Sequence, residues 1–140
     1  NTHKRASYTM TRIRISVLQM CSSNTHEENI ASVRVAAKKA AEEKVDMLVM
    51  PEAAGLMERD KAKAVPQVTR ESACPFVRAC TELAKEYSLW IQACMPVLPE
   101  VLPEDGSEKF LNHSLLIDKN GNIVDRYSKS TWERGIGGRV

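Results

Sequence analysis

The spacing of apolar residues changes twice between Arg12 and Pro51, and this restricts the architecture more than any other feature of the chain. Across RIRISVLQM, Ile13, Ile15 and Val17 alternate with Arg14, Ser16 and Leu18. Alternation puts successive side chains on opposite faces of a strand. It predicts a strand over 12–20 with an apolar face and a partly covered second face. Thr25 and Glu28 then form a T-x-x-E capping box, which can satisfy two orphan amide donors at a helix start. Beyond it, Ile30, Val33, Ala37, Ala40 and Ala41 recur at helical spacing, with Arg34, Lys38, Lys39, Glu42 and Glu43 mostly on the other face. This helix should end near Lys44, where lysines suit the negative pole. Val45–Met50 is a short apolar run stopped by Pro51. Strand, helix and strand at this spacing predict an alternating α/β organisation around a buried sheet.

The rest of the chain extends that pattern. The polar stretch 58–71 reads as a loop with a short helix. Ser72–Tyr87 reads as a second helix, with Pro75 in its first turn, where a missing donor is harmless. Its buried stripe is Phe76, Cys80, Leu83, Ala84 and Tyr87. Leu89–Met95 is the next strand. A solvated connector follows, carrying Pro96, Pro99, Pro103 and the acids Glu100, Glu104, Asp105 and Glu108. Strands over 110–118 and 123–127 flank Asn120-Gly121, a strong hairpin signal. No internal repeat is present, and the tail from Thr131 has no periodicity. The expected organisation is an extension over 1–10, a domain over 11–131 and a divergent tail over 132–140. At 140 residues, such a domain can bury roughly two-thirds of its unfolded surface.

Composition removes several classes. The 20 basic and 18 acidic residues are interspersed, so no basic stripe points to nucleic acid. No apolar run approaches the roughly 18 residues that span a bilayer. The first nine residues lack the apolar core of a secretory signal. Because the chain opens on Asn1, a start upstream or at Met10 is expected, and a longer basic segment upstream would be compatible with a mitochondrial transit peptide. A cytoplasmic protein is expected, with a mitochondrial one as the alternative. Cys21, Cys74, Cys80 and Cys94 form no C-x-x-C pair and read as buried reduced thiols. His3, His26 and His113 are isolated, so neither a metal site nor a cofactor is expected.

Two charged residues stand where chemistry could be done. Glu52 directly follows an apolar strand, and catalytic groups of open α/β sheets gather at the carboxyl ends of strands. Lys129 lies just past the hairpin's second strand, and an ammonium in a closed site can stabilise an oxyanion. Taken singly, each reads more readily as an ordinary solvated strand-end charge. Their order decides. RISVLQMCSS, MLVMPEAAGL and LNHSLLIDKNGNIVDRYSKS, taken together, resemble the nitrilase superfamily of carbon–nitrogen hydrolases over residues 11–131. Gln19 to Ser23 and Glu58 to Asp60 resemble the Nit-type amidase branch in particular.

The resemblance implies a four-layer αββα sandwich, assembled into dimers or larger oligomers, and hydrolysis of a small-molecule amide by a Glu–Lys–Cys triad. Glu52 matches the general base and Lys129 the oxyanion-stabilising lysine. Asn112 matches an asparagine read as structural. The nucleophilic cysteine belongs tens of residues after the lysine, whereas all four cysteines here precede Lys129. Ser130, Thr131 and Trp132 also depart from the family pattern. The expectation is therefore the N-terminal half of such a domain, half of the sandwich, without turnover of its own. Two other readings stand beside it. One is a non-catalytic family product that partners intact subunits. The other is an unrelated α/β binding module, although no glycine-rich loop here joins a strand to a helix.

Overall fold

A computed structural model describes residues 12–101, 104 and 110–130. The expected extension over 1–10, Pro103, Asp105 and Glu108 of the connector, and the tail over 132–140 lie outside the described residues. The elements are β1 (Ile15–Val17), α1 (His26–Glu42), β2 (Met47–Val49), α2 (Lys61–Ala64), a 3-10 turn (Glu71–Ala73), α3 (Pro75–Tyr87), β3 (Trp90–Val97), β4 (Leu111–Ile117) and β5 (Ile123–Ser130). They form one sheet in the order β1-β2-β3-β4-β5. The first three strands are parallel, and the last two pairings are antiparallel. Parallel neighbours need long crossovers, and α1 and α3 lie in those crossovers.

Local chemistry fixes the helix ends. The Thr25 hydroxyl accepts from the Glu28 amide at 3.4 Å, as the capping box requires. The reciprocal half differs from expectation: the Glu28 carboxylate takes the Ser23 hydroxyl, and Ser23 Oγ in turn accepts from the Thr25 amide at 3.3 Å. A serine two residues upstream thus stands between the two members of the box. Lys44 ends α1 in a left-handed conformation at φ 55°, and the Val45 amide closes on the Ala40 carbonyl at 2.9 Å. Ser88 ends α3 in the same way.

One face of the sheet carries the helices. Leu48, Ile91, Ala93, Met95, Leu115 and Ile117 are buried there against Val33, Ala37, Phe76, Leu83 and Ala84. Alternate residues (Trp90, Gln92, Cys94 and Pro96 on β3) point to the opposite face, where β3 is only half-buried. No layer covers that face among the described residues. Helix layer and sheet are thus two of the four layers that the resemblance implies.

Several expectations need correction. β1 is shorter than 12–20, because the three residues of β2 are all it can pair with. Its apolar set faces the uncovered side, with Ile13, Ile15 and Val17 exposed by 68%, 55% and 74%. β3 continues through Pro96 to Val97. β2 ends opposite Gln92, so Pro96 has no neighbour on that side and its missing donor costs nothing. β5 runs on to Ser130. Cys74 and Cys80 are buried, Cys94 is half-buried, but Cys21 is exposed, because it lies in the loop beyond the edge strand. No helix among the described residues is long and apolar enough to cross a membrane.

Candidate active site

Glu52 stands where β2 gives out. The Met50 amide bonds both the Gln92 backbone carbonyl and its side-chain Oε1, each at 3.1 Å. Pro51 then ends the pairing. Ala53 is left-handed at φ 56°, a conformation costly for a residue with a Cβ and most often retained at functional sites. The turn is tied down at Gly55. Its amide donates to the Cys94 carbonyl at 3.0 Å. Its carbonyl accepts from Asn29 Nδ2 at 3.1 Å and lies 2.9 Å from His26 Nδ1. A Cβ on Gly55 would lie 2.7 Å from Met95 Cβ and 2.8 Å from Phe76 Cδ1, so only glycine fits.

Asn29 is 1% exposed and uses its whole amide. Besides Gly55 it bonds both backbone groups of Ser23, accepting from the amide at 2.7 Å and donating to the carbonyl at 2.9 Å. This side chain joins the loop after β1 to the loop that carries Glu52.

Asn112 Nδ2 donates to Glu52 Oε1. Asn112 pairs directly with Lys129 across β4 and β5, and directly opposed residues share a face. The structure thus brings both sequence-predicted residues to the uncovered face at one end of the sheet, with Asn112 between them. Glu52 and Lys129 are exposed, and no ion pair joins them. Asn112, expected to be structural, touches the carboxylate itself. On the same face, Gln92 Nε2 donates to Ser114 Oγ at 2.8 Å and to Cys94 Sγ at 2.9 Å.

A second polar cluster lies on the helix-covered side of β4 and β5. Arg126 Nε and Nη2 grip the Glu71 carboxylate at 2.9–3.1 Å. His113 Nε2 donates to Glu71 Oε2 at 2.9 Å, and Ser128 Oγ lies 2.6 Å from His113 Nδ1. The Arg126 guanidinium, and then His113, hold the Glu71 carboxyl below the usual carboxylate range against the opposing effect of burial.

Sequence reasoning missed Asn29, Gln92 and this cluster. An asparagine beside Ile30 and Val33 and a glutamine inside LWIQACM were signals, because polar residues in apolar settings need partners. No such signal marked Glu71 or Arg126, which read as ordinary surface charges. A cleft of about 210 Å³ between β1 and α1 is lined by Ser16, Leu18, Ala36 and Lys39 among others, and neither Glu52 nor Lys129 reaches it. Among the described residues, no group of three His, Cys, Asp or Glu side chains could hold a metal ion.

A family model described as carbon-nitrogen hydrolase matches residues 14–139. The chain belongs to the carbon–nitrogen hydrolase family. It is 27% identical over 124 residues to the deaminated glutathione amidase of Dictyostelium discoideum, covering 83% of this chain and 40% of that protein. It is 26% identical over 115 residues to the nitrilase and fragile histidine triad fusion protein NitFhit of Caenorhabditis elegans, covering 82% and 25%. The crystal structure of that NitFhit protein superposes with a TM-score of 0.71 at 25% identity, over 90% of this chain and 30% of that one. An amidase from Nesterenkonia sp. AN1, which bears an acrylamide adduct on its active-site cysteine, shares the fold with a TM-score of 0.67 at 19% identity, over 86% and 45%. The chain spans 40% of the length of the amidase it matches in Dictyostelium. Family membership removes the unrelated binding-module reading.

Proposed function

We propose that this chain supplies the general base and the oxyanion-stabilising cation of an amidase acting on a small-molecule amide. The observation that carries this reading is the Asn112 amide. It holds the Glu52 carboxylate on the face to which strand pairing brings Lys129. The nucleophile is a thiol that none of the four cysteines here provides. Cys74 and Cys80 are buried, and burial pushes both thiols up, away from the reactive thiolate. Cys21 is exposed beyond β1, and the Cys94 sulfur accepts a hydrogen bond from Gln92.

In the intact protein Glu52 takes the thiol proton as sulfur bonds to the amide carbon. The carbonyl π pair moves to oxygen, where the Lys129 ammonium stabilises the negative charge. Collapse breaks the carbon–nitrogen bond, and the departing nitrogen takes the proton from Glu52. Water then attacks the thioester, Glu52 accepts its proton, and the acid leaves with the thiol restored. Assembly into dimers or larger oligomers is part of the same proposal.

The test is ammonia release from a small primary amide by the intact protein. Glu52→Gln and Lys129→Met should each lower kcat by about 10²–10⁴-fold, and the 140-residue chain alone should release none. Release by the chain alone that survives Lys129→Met but not Cys94→Ser would overturn the assignment. The uncovered apolar face favours one further reading, a non-catalytic partner for intact subunits. Co-purification with such a subunit would support it.

A further inference from the structure

The pairing between β4 and β5 is not the pairing that their turn sets. At the turn, Ile117 faces Ile123. Continued regularly, that register would put Leu116 opposite Val124 and Asn112 opposite Ser128. Instead Val124 is skipped: Leu116 faces Asp125, and from there Ser114 faces Tyr127 and Asn112 faces Lys129. One extra residue in a strand is a β-bulge, and it reverses which face every later side chain occupies. Without it, Lys129 would lie opposite Leu111 on the helix-covered face, away from Asn112 and Glu52. With it, Asp125, Tyr127 and Lys129 turn to the uncovered face, and Arg126 and Ser128 turn towards the helices.

Something outside the hairpin must favour the bulged register. β5 is a sheet edge, and its residues from Val124 to Lys129 are exposed. The partners that Arg126 and Ser128 meet behind the sheet are Glu71 and His113. In the regular register, Asp125 rather than Arg126 would point at that side, against Leu115 and the Glu71 carboxylate. Glu71 therefore attracts the residue that the bulge brings to it and repels the residue that the regular pairing would bring. His113 adds to this selection. Its side chain is 9% exposed, and its two nitrogens are committed to Glu71 and Ser128. A carboxylate can only accept, so Nε2 carries the hydrogen, and in the neutral ring Nδ1 then accepts from the Ser128 hydroxyl.

We propose that Glu71, His113, Arg126 and Ser128 form a register lock that holds the Val124 bulge and so keeps Lys129 on the active face. They are positioning residues and touch no substrate. Through Lys129 the proposal rests on the amidase reading, but its test does not require turnover.

The test is disulfide trapping in a Cys94→Ala background with Ser114→Cys and Tyr127→Cys, which face each other only in the bulged register. Intramolecular cross-linking on oxidation, read by mass spectrometry, should be efficient with the lock intact. Glu71→Ala should lower the yield about tenfold, as loss of a charge-assisted contact implies. Deletion of Val124 leaves Leu116 facing Asp125 with no bulge to hold, so it should restore the yield in the Glu71→Ala chain. A yield unchanged by Glu71→Ala would overturn the proposal. So would a yield that falls and is not restored by deleting Val124, since the cluster would then be a plain stabilising contact. If register slips but amide hydrolysis by the intact protein persists, the role of Lys129 is wrong and the lock still stands.

Discussion

Gly55 shows how tightly the residues around Glu52 are constrained. Its backbone bonds on both sides, and a single added Cβ would meet Met95 and Phe76 at under 3 Å. Both neighbours are fully buried, so neither can move aside cheaply. Gly55→Ala should therefore destabilise the fold by about 1–3 kcal/mol, the usual cost of overpacking. Chemical denaturation would check this as a lower midpoint with the slope unchanged. At this scale the sequence is only partly legible. Glu52 and Lys129 could be proposed as site residues from their order along the chain, because the family pattern is written in order. The partners of Asn29 could not. They are backbone groups of Ser23 and Gly55, and nothing in an amino-acid code names a backbone carbonyl as a ligand.

At the scale of elements, the helices and central strands follow from periodicity, since α3, β2 and β3 bury one stripe or one face each. Departures occur where a distant contact decides the outcome. β1 is cut short by the length of β2, Pro96 is tolerated because β2 has already ended, and the bulge in β5 answers to Glu71 on the 3-10 turn. None of these partners lies within the element it controls, so local pattern cannot show them. The contact of the 3-10 turn with the hairpin also has a pH signature. The Glu71 carboxyl is held below its usual value, first by Arg126. A depressed carboxyl contributes stability that is fully present above its unfolded value of about 4.3 and is lost as pH falls through the folded value. The chain should thus lose thermal stability as pH falls below about 4.3. Glu71→Gln should make this acid limb shallower while lowering stability at neutral pH. Melting curves by circular dichroism across that range measure both effects, and an acid limb unchanged by Glu71→Gln would show that the contact carries none of the loss.

For the whole molecule, the decisive fact is an asymmetry between the two faces of one sheet. The covered face has the core, with Ile91, Met95, Leu115 and Ile117 fully buried. The other face continues across the sheet from Ile15 and Val17 to Met47 and Val49 and on to Trp90, and the β1 end of it is open to water. Contiguous exposed apolar surface of this kind drives association, and the short β1 edge leaves unpaired backbone groups beside it. The face that carries Glu52, Asn112 and Lys129 is therefore also the face with most apolar surface left to bury. The apolar end of this face lies at β1 and Lys129 at β5, the two edges of the same sheet. The 140-residue chain expressed alone should accordingly self-associate in a concentration-dependent way. Ile15→Lys with Val17→Lys should raise the concentration at which this begins while leaving helix content unchanged, because both side chains point away from α1 and α3. Sedimentation velocity over a dilution series reads the first effect and far-ultraviolet circular dichroism the second. A wild-type chain that sediments as a single monomeric species at every concentration would mean that this face is stable in water uncovered.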